Sequence, residues 1–257
     1  MTLPPSTEHL YDRHASSWNR QEPALLSDYT ARPRVLDRLG SVAGLHIWDL
    51  GCGEGFMGRQ LLPQRPACVE GIDLSREMVE AARRQAGAGG EAQGGPLHYR
   101  VGDLSQVDQL PSGPCDLVIA VFLFNYLSLS ATTAVLRHVH QSLRPGGRFL
   151  FTVPHPSLAY LRPQQPPFFF DPADHTYLEA SDQLLEGRIW RRDGGSTPVR
   201  CVHKTMADYL RALAEAGWTS LPYLDELGVT AEHLALDPAF FGPLKGMPLH
   251  LLFELKR

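Results

Sequence analysis

The sequence predicts an α/β fold, in which a doubly wound, mostly parallel seven-stranded sheet carries helices on both faces. Short apolar runs alternate along the chain with helix-like segments, as parallel strands with right-handed crossovers require. Residues 47–55, IWDLGCGEG, predict a buried strand that ends in an acid and continues into a glycine-rich turn. Twenty-two residues after Gly51, a second apolar run ends at Asp73. This pair of strand ends is typical of a parallel sheet that holds a nucleoside.

The first half of the chain supplies five strands and the helices between them. The strands are predicted at residues 46–50, 69–73, 97–101, 116–121 and 148–153. The helices are predicted at residues 8–18, 33–39, 56–62, from Ser75 as N-cap to about Gln85, and at 132–143. Residues 86–96 are rich in glycine and predict a surface loop, and the sequence RPGG at 144–147 ends the last of these helices.

The second half begins with a segment that is too long and too rich in proline for an ordinary connection. Within it, residues 187–193 and 198–203 flank a glycine turn and predict a hairpin. Thr205 and Asp208 predict the start of a helix that ends at Gly217, and strands around 218–221 and 249–255 complete the sheet. We therefore expect a single domain over residues 1–257, with an N-terminal helical segment at 1–40 and a cap inserted at 154–204.

Composition narrows the class of protein. The chain has 257 residues, of which 43% are hydrophobic and 20% charged, and its formal net charge is −4. This balance offers no basic surface for nucleic acid or an anionic membrane. The N-terminus shows no export signal and the apolar run at 117–124 is too short to cross a bilayer, so we expect a cytoplasmic protein. The four cysteines have no metal-ligand spacing, so reduced thiols and no metal site are expected.

Two types of nucleoside cofactor fit the glycine turn. Residues 53–58, GEGFMG, satisfy the pattern of a dinucleotide site, but as a pattern this is weak. Asp49 and Gly51 already interrupt the strand before Gly53, and a pyrophosphate would lie close to Asp49 and Glu54. A positively charged cofactor without phosphates is favoured instead.

At these residues the chain resembles the class I S-adenosylmethionine-dependent methyltransferases, which have a Rossmann-like fold. The resemblance extends from about Tyr11 to the end of the chain, and its motifs are residues 49–55, Asp73, residues 102–104, residues 116–122 and residues 143–147. It implies S-adenosylmethionine as cofactor and S-adenosylhomocysteine as product. The cofactor contacts that it implies are Asp49, Gly51, Cys52, Gly53, Asp73, Leu74, Met78, Gly102, Asp103, Leu104, Val121 and Phe122.

The resemblance also assigns roles. Asp73 would bind the ribose hydroxyls, Asp103 would accept the exocyclic amine of adenine, and Leu74 and Met78 would pack on the cofactor. Asp49 and Asp103 have a simpler interpretation as turn caps. The function implied is transfer of a methyl group to O or N of a small-molecule acceptor by in-line displacement in a water-excluding pocket. A non-catalytic cofactor-binding or interaction protein is an alternative, and an NAD(P)-dependent oxidoreductase is a weaker one.

Candidate acceptor-side residues lie where the cap meets the sheet. His155 and His203 are candidate general bases, because an ordinary imidazole titrates near neutrality. Acceptor contacts are expected from Tyr11, Trp18, Tyr126, His155, Phe169 and Trp190. Each has a structural alternative: the histidines satisfy backbone groups in turns, and the aromatic rings form a small core of the lid. The motif Asn-Pro-Pro-Tyr, which resembles a sign of amino-methylation on bases or glutamine, is absent after strand four. A small-molecule acceptor is therefore expected, and a monomer or homodimer.

Overall fold

The computed structural model describes residues 22–257. The first five strands follow the predicted order, and five further strands come after them. The strands are β1 (His46–Leu50), β2 (Cys68–Asp73), β3 (Leu97–Val101), β4 (Cys115–Val121), β5 (Leu143–Pro154), β6 (Phe168–Asp171), β7 (Leu184–Trp190), β8 (Ser196–Val202), β9 (Tyr223–Leu227) and β10 (His250–Lys256).

The helices lie between these strands at the positions that the sequence leads one to expect in the first half of the chain. They are α1 (Leu26–Thr30), α2 (Arg32–Leu39), α3 (Phe56–Leu61), α4 (Arg76–Ala86), α5 (Leu129–Ser142), α6 (Leu158–Leu161), α7 (Met206–Glu215), α8 (Ala231–Leu236) and α9 (Pro238–Phe241). The predicted helix at 8–18 lies outside the described residues. Helices α1, α6, α8 and α9 are short elements that the sequence pattern did not predict.

Seven strands form the main sheet in the order β3-β2-β1-β4-β5-β10-β9. Neighbours from β3 to β5 are parallel, whereas β10 runs antiparallel to both β5 and β9. The predicted seven-stranded, mostly parallel sheet is confirmed. Strand order reverses beside β1, since β2 lies on one side of it and β4 on the other. The carboxyl ends of β1 and β4 therefore border the crevice where doubly wound sheets bind ligands.

The turn predicted at 144–147 lies within the residue range of β5. Cys115 pairs with Leu143 and Leu117 pairs with Arg148, so the residues between Leu143 and Arg148 leave the register of β5. Gly146 has φ of +79°, a value that a residue with a side chain adopts only under strain. The local turn is thus present, with strand pairing on both sides of it.

The strand predicted at 218–221 is wrong in position. The edge strand is β9, which begins at Tyr223. Trp218 is a buried core residue whose indole N–H donates to the carbonyl of Leu136 at 3.2 Å, and its ring stacks on Phe149. An apolar segment that packs beneath the sheet and a strand have the same short apolar pattern, which explains the error.

A second sheet lies within residues 154–204, the segment that we call the cap. Its strand order is β6-β7-β8, with antiparallel pairing throughout. The hairpin of β7 and β8 confirms the predicted one with shifted ends, and β6 was not predicted. Behind it, the Thr205 hydroxyl accepts from the backbone N–H of Asp208 at 3.1 Å, which confirms the predicted start of α7.

Tyr99 of β3 explains why two of the glycines around the first turn are glycines. A Cβ added to Gly58 would lie 2.5 Å from the phenolic oxygen of Tyr99, and one added to Gly55 would lie 2.8 Å from it. The ring is buried, and its hydroxyl donates to the carbonyl of Gly55 at 3.4 Å. The last glycine of the GEGFMG pattern therefore makes room for protein packing.

We expect Gly58→Ala to lower the free energy of unfolding by about 1–3 kcal/mol, because the added methyl group overlaps the Tyr99 hydroxyl. Urea denaturation measures this. The double variant Gly58→Ala/Tyr99→Phe should recover much of the loss, since it removes the overlapping oxygen. Gly242→Ala is the matched control, because a Cβ at Gly242 meets nothing within 4 Å. An equal loss in the single and double variants would contradict this account.

Candidate functional site

A cavity of about 410 Å³ opens at the carboxyl ends of the parallel strands, between the main sheet and the cap. This volume lies in the range of small-molecule and cofactor sites. On the cap side it is lined by apolar side chains: Pro154, Phe168, Phe170, Ile189 and Val199. On the sheet side it is lined by these predicted cofactor residues: Asp49, Gly51, Cys52, Gly53, Asp73, Leu74, Met78, Asp103, Leu104, Val121 and Phe122. Gly102 is the predicted cofactor residue that does not line it.

The glycine turn, residues 51–55, is fixed by the next strand. The amides of Gly51 and Cys52 both donate to the carbonyl of Ile72, at 2.8 and 3.0 Å. The amide of Gly53 donates to one carboxylate oxygen of Asp73 at 2.9 Å, and the amide of Ser75 donates to the other at 3.0 Å. Asp73 therefore has a fixed orientation at the edge of the cavity. A Cβ on Gly53 would meet nothing within 4 Å, so the backbone there faces open space.

Asp49 lies at the end of β1 with 1% of its surface exposed. Its Oδ2 atom is buried and has no hydrogen-bond partner in the described part of the chain. Burial, with repulsion from Asp73, raises the pKa of Asp49 to about 7, and Arg32 opposes the shift. A buried carboxylate of this kind gains stability when a positive charge approaches it. Glu54, which also lines the cavity, forms an ion pair with Arg59 at 2.6 Å.

Asp103 retains both of its predicted interpretations. One carboxylate oxygen accepts from the amide of Ser105 at 2.9 Å, which is a turn-capping contact. Asp103 also lines the cavity next to Leu104, on the side of β3. A capping contact fixes the orientation of a carboxylate, and each carboxylate has several acceptor sites, so the two roles are compatible.

Arg32 is a cavity residue that sequence reasoning missed. Its guanidinium lies 5.8 Å from the ring centres of both Phe56 and Phe122 and donates to Asp28 at 2.8 Å. The other oxygen of Asp28 accepts from the amides of Ala24 and Leu25. The positive charge of Arg32 is therefore balanced by an acid of α1. No motif indicates this arrangement, since it depends on how α1 and α2 pack over the sheet.

His250 is a second cavity residue that was not predicted, at the start of β10. It is 2% exposed, and its ring meets that of Phe122 edge-on at 5.0 Å. The Thr30 hydroxyl donates to the carbonyl of Leu26, so the Nε2 atom of His250 donates to Thr30 at 3.0 Å. Burial, with the nearby charge of Arg32, lowers the pKa of His250 to about 3. This imidazole is neutral at physiological pH.

His155 and His203 both lie outside the large cavity. His155 pairs with Glu226 at 2.9 Å, and its second ring nitrogen accepts from the amide of Ser157 at 3.2 Å. His203 bonds to the carbonyl of Tyr177 at 3.0 Å, and burial lowers its pKa. Both border a second space of only about 10 Å³, enough for one water molecule at most. Their contacts are those of the structural alternative, and neither side chain lines the large cavity.

Two of the aromatic residues predicted to contact the acceptor do not line the cavity, whereas residues next to them in the sequence do. Tyr126 lines the cavity, whereas Phe169 and Trp190 do not. The rings of Phe169 and Trp190 pack against each other, with their centres 6.0 Å apart. Side chains alternate between the two faces of a strand, so the neighbours on each strand face the cavity in their place. Those neighbours are Phe168, Phe170 and Ile189. Tyr11 and Trp18 lie outside the described residues.

Within residues 22–257, no group of three or more His, Cys, Asp or Glu side chains is arranged to hold a metal ion. No helix in the same range is long and apolar enough to cross a membrane.

Comparison with known proteins agrees with the fold. A family model described as a methyltransferase domain matches residues 47–147, from β1 to the turn in β5. An O-methyltransferase, cnsE, of Penicillium expansum is 31% identical over 140 residues, covering 53% of this chain and 49% of that protein. The N-demethylindolmycin N-methyltransferase of Streptomyces griseus is 28% identical over 204 residues, covering 75% and 74%. The chain spans about half the length of several curated relatives that it matches.

Solved structures share the fold. A crystal structure of an S-adenosylmethionine-dependent methyltransferase from Mesorhizobium loti superposes with a TM-score of 0.64 at 24% identity, covering 88% of this chain and 96% of that one. At that identity the likeness concerns the fold alone. The family model matches residues 47–147 of this chain, and these residues contain the glycine turn, Asp73 and Asp103. The chain thus contains a methyltransferase domain over residues 47–147 and has the fold of the class I S-adenosylmethionine-dependent methyltransferases.

Proposed function

We propose that this protein transfers a methyl group from S-adenosylmethionine to O or N of a small, uncharged acceptor. The observation that carries the proposal is the division of the cavity. Its sheet side has the buried Asp49, the oriented Asp73 and bare glycine backbone, and its cap side is apolar. The first set suits a cationic nucleoside without phosphates, and the second suits an organic acceptor.

The residues present fit the cofactor. The unpartnered oxygen of Asp49 would face a positive charge of the bound molecule, and the carboxylate of Asp73 would accept from the ribose. Asp103 and Leu104 lie beyond Asp73, toward β3, where the adenine would bind. Met78 is 5% exposed and would pack on its face. These assignments support the choice of S-adenosylmethionine over a dinucleotide, because Asp49 would repel a pyrophosphate.

When bound, S-adenosylmethionine supplies a methyl group on a sulfonium, which leaves as an uncharged thioether. The chain contributes mainly position and exclusion of water, and alignment of this kind is worth roughly 7–11 kcal/mol at best. The cap residues Phe168 and Phe170 exclude water from the acceptor side. His250, the histidine that lines the cavity, has a pKa of about 3 and is a weak base at neutrality. An acceptor that needs little deprotonation before transfer fits this environment.

The proposal extends to the organisation of the chain. Residues 1–257 form one methyltransferase domain, with residues 1–40 as a lid and the cap at 154–204 providing acceptor specificity. The named relatives act as an O- and an N-methyltransferase, which supports either atom as the methylated one. The net charge of −4 supports a small molecule over a nucleic acid. A monomer or homodimer remains a prediction.

Titration calorimetry with S-adenosylhomocysteine, and with NADH as the control ligand, tests the cofactor. We expect micromolar affinity for the first ligand and no binding of the second. Binding of NADH alone would overturn the proposal in favour of an oxidoreductase. Binding of S-adenosylhomocysteine without transfer of a labelled methyl group to any acceptor in a broad panel would favour a non-catalytic cofactor-binding protein.

A further inference from the structure

We propose that the side-chain amide of Asn125 recognises the acceptor through hydrogen bonds, and that Lys204 of the cap holds that amide in place. The inference rests on the proposed function, because it assigns one residue to the acceptor and not to the cofactor. It also names the chemistry of the acceptor, which is an uncharged group with a hydrogen-bond donor next to an acceptor, as in a lactam.

Asn125 is a buried polar residue whose side-chain oxygen lacks a hydrogen-bond donor in the described part of the chain. It lies in the short helical turn Phe124–Tyr126 after β4, is 2% exposed, and lines the large cavity. Its Oδ1 atom is buried and has no hydrogen-bond partner among residues 22–257. A buried amide oxygen without a partner costs about 1–3 kcal/mol of stability. A ligand in the cavity that donates to Asn125 would recover this cost on binding.

Lys204 explains how the amide keeps its position. It is 2% exposed, and its ammonium donates to the carbonyls of Phe124 at 3.0 Å, Val202 at 3.2 Å and Leu127. These three bonds use all three protons of the ammonium. The carbonyls of Phe124 and Leu127 lie on either side of Asn125 in the chain. Lys204 therefore fastens the loop that carries Asn125 to the end of β8.

The same contacts place Asn125 on the acceptor side. Strand β8 packs on the turn Phe124–Tyr126, and Val199 of β8 lines the cavity. Of the groups assigned to the cofactor, Asp73 is the last residue of β2 and Asp103 follows β3, and both strands lie on the other side of β1 from β4. Asn125 therefore lies between the cofactor residues and the cap.

The surroundings of Asn125 define the kind of group that it can bind. The cap residues that line the cavity are all apolar and carry no charge: Pro154, Phe168, Phe170, Ile189 and Val199. Arg32 is paired with Asp28, so its charge is already balanced. A charged group on the acceptor would therefore be buried against apolar side chains at a large cost. The amide of Asn125 both donates and accepts, and its best partner is a neutral group that does the same.

The first test measures stability without any ligand. Leucine has nearly the shape of asparagine and needs no hydrogen bond, so Asn125→Leu should raise the melting temperature by about 2–4 °C. Asn125→Asp, which places a charge in the same position, should lower it. A lower melting temperature for Asn125→Leu would show that the amide is needed for folding and would overturn the proposal. This outcome does not depend on cofactor binding.

The second test uses a matched pair of probes on protein saturated with S-adenosylhomocysteine. The probes are 2-quinolinone, a flat neutral lactam, and 1-methyl-2-quinolinone, which lacks the N–H donor. Wild type should bind the first about tenfold more tightly, the difference expected from one hydrogen bond, and Asn125→Leu should lose this preference. Equal binding of the two probes by wild type, absence of binding of both, or a preference that survives in Asn125→Leu would overturn the assignment.

The role of Lys204 has its own readout. Lys204→Met and Lys204→Gln remove the bonds to Phe124 and Leu127, so whichever variant retains a cooperative melting transition should lose most of the lactam preference. Its affinity for S-adenosylhomocysteine should stay within about twofold of wild type, because Lys204 does not line the large cavity. Equal losses of affinity for the lactam and for S-adenosylhomocysteine would show that Lys204 has only a general structural role. Failure of wild type to bind S-adenosylhomocysteine would refute the proposed function and leave the stability test of Asn125 standing.

Discussion

Replacing Asp73 by alanine is expected to weaken S-adenosylhomocysteine binding by about a hundredfold. Hydrogen bonds to a charged group are worth about 1.5–3 kcal/mol each, and the ribose offers two hydroxyl groups. The substitution also removes the acceptor that orients the amides of Gly53 and Ser75, so the glycine turn and the start of α4 lose a contact. Titration calorimetry measures the affinity directly.

The control for Asp73→Ala is Glu70→Ala, which removes an acid from the same strand at a position that does not line the cavity. We expect it to leave the affinity within about twofold of wild type. The variant Asp73→Asn keeps the shape but presents an NH₂ group to one of the two backbone amides, so it should resemble alanine. Unchanged affinity in Asp73→Ala would refute the assignment of Asp73 to the ribose.

The second large effect is expected at Asp49, as a dependence of cofactor affinity on pH. The pKa of Asp49 is raised to about 7 by burial, then by Asp73, so in the free protein this acid is mostly protonated at pH 6 and mostly ionised at pH 8. A cationic cofactor favours the ionised form. Wild type should therefore bind S-adenosylmethionine up to about tenfold more weakly at pH 6 than at pH 8.

The variant Asp49→Asn isolates the contribution of this carboxylate. It should bind weakly at both pH values, and the ratio between them should be smaller than in wild type. His250 does not contribute to the ratio, because its pKa of about 3 lies below the range measured. The same ratio in Asp49→Asn and wild type would mean that another group, or the ligand itself, is responsible.

Stability should change in the opposite direction at Asp49. The folded-state pKa is raised above its ordinary value of 3.8, so the stability associated with protonated Asp49 is present at low pH and is lost as pH rises toward 7. Asp49→Asn should therefore melt at a higher temperature than wild type at pH 8 in the absence of cofactor. This gain would show that Asp49 is retained for binding at the expense of folding.

The cofactor side of the site could be predicted from the sequence because its residues are close together in the chain. Asp49 and Asp73 lie at the ends of two consecutive strands, and Gly51 and Gly53 lie in the turn directly after the first. The parallel pairing of those strands brings these residues together. Glycine has a distinct conformational role at such a turn, so its spacing is informative. Only the structure explains why positions 55 and 58 are glycine, which is that a side chain at Gly55 or Gly58 would overlap Tyr99.

The acceptor side could not be predicted in the same way. The choice between Phe168 and Phe169 depends on which face of β6 meets the main sheet, and a shift of one residue reverses that face. His155 was the more prominent histidine in the sequence, because it follows β5 directly, but its ring turns to Glu226 on the edge strand β9. Such a contact joins residues seventy-one positions apart and leaves no local pattern.

The sequence by itself thus determined the class of sheet and the order of its first five strands along the chain. It also indicated the carboxylates and glycines that line the sheet side of the cavity, since short-range spacing and strand alternation encode them. Only the tertiary structure brought Arg32, Asn125 and His250 around one cavity, with Lys204 bonded to the turn that carries Asn125. These residues come from different parts of the chain, and their roles depend on burial and on which hydrogen bonds remain unmade. Burial and unmet hydrogen bonds are properties of the packed chain, which explains why no spacing of residues predicted them.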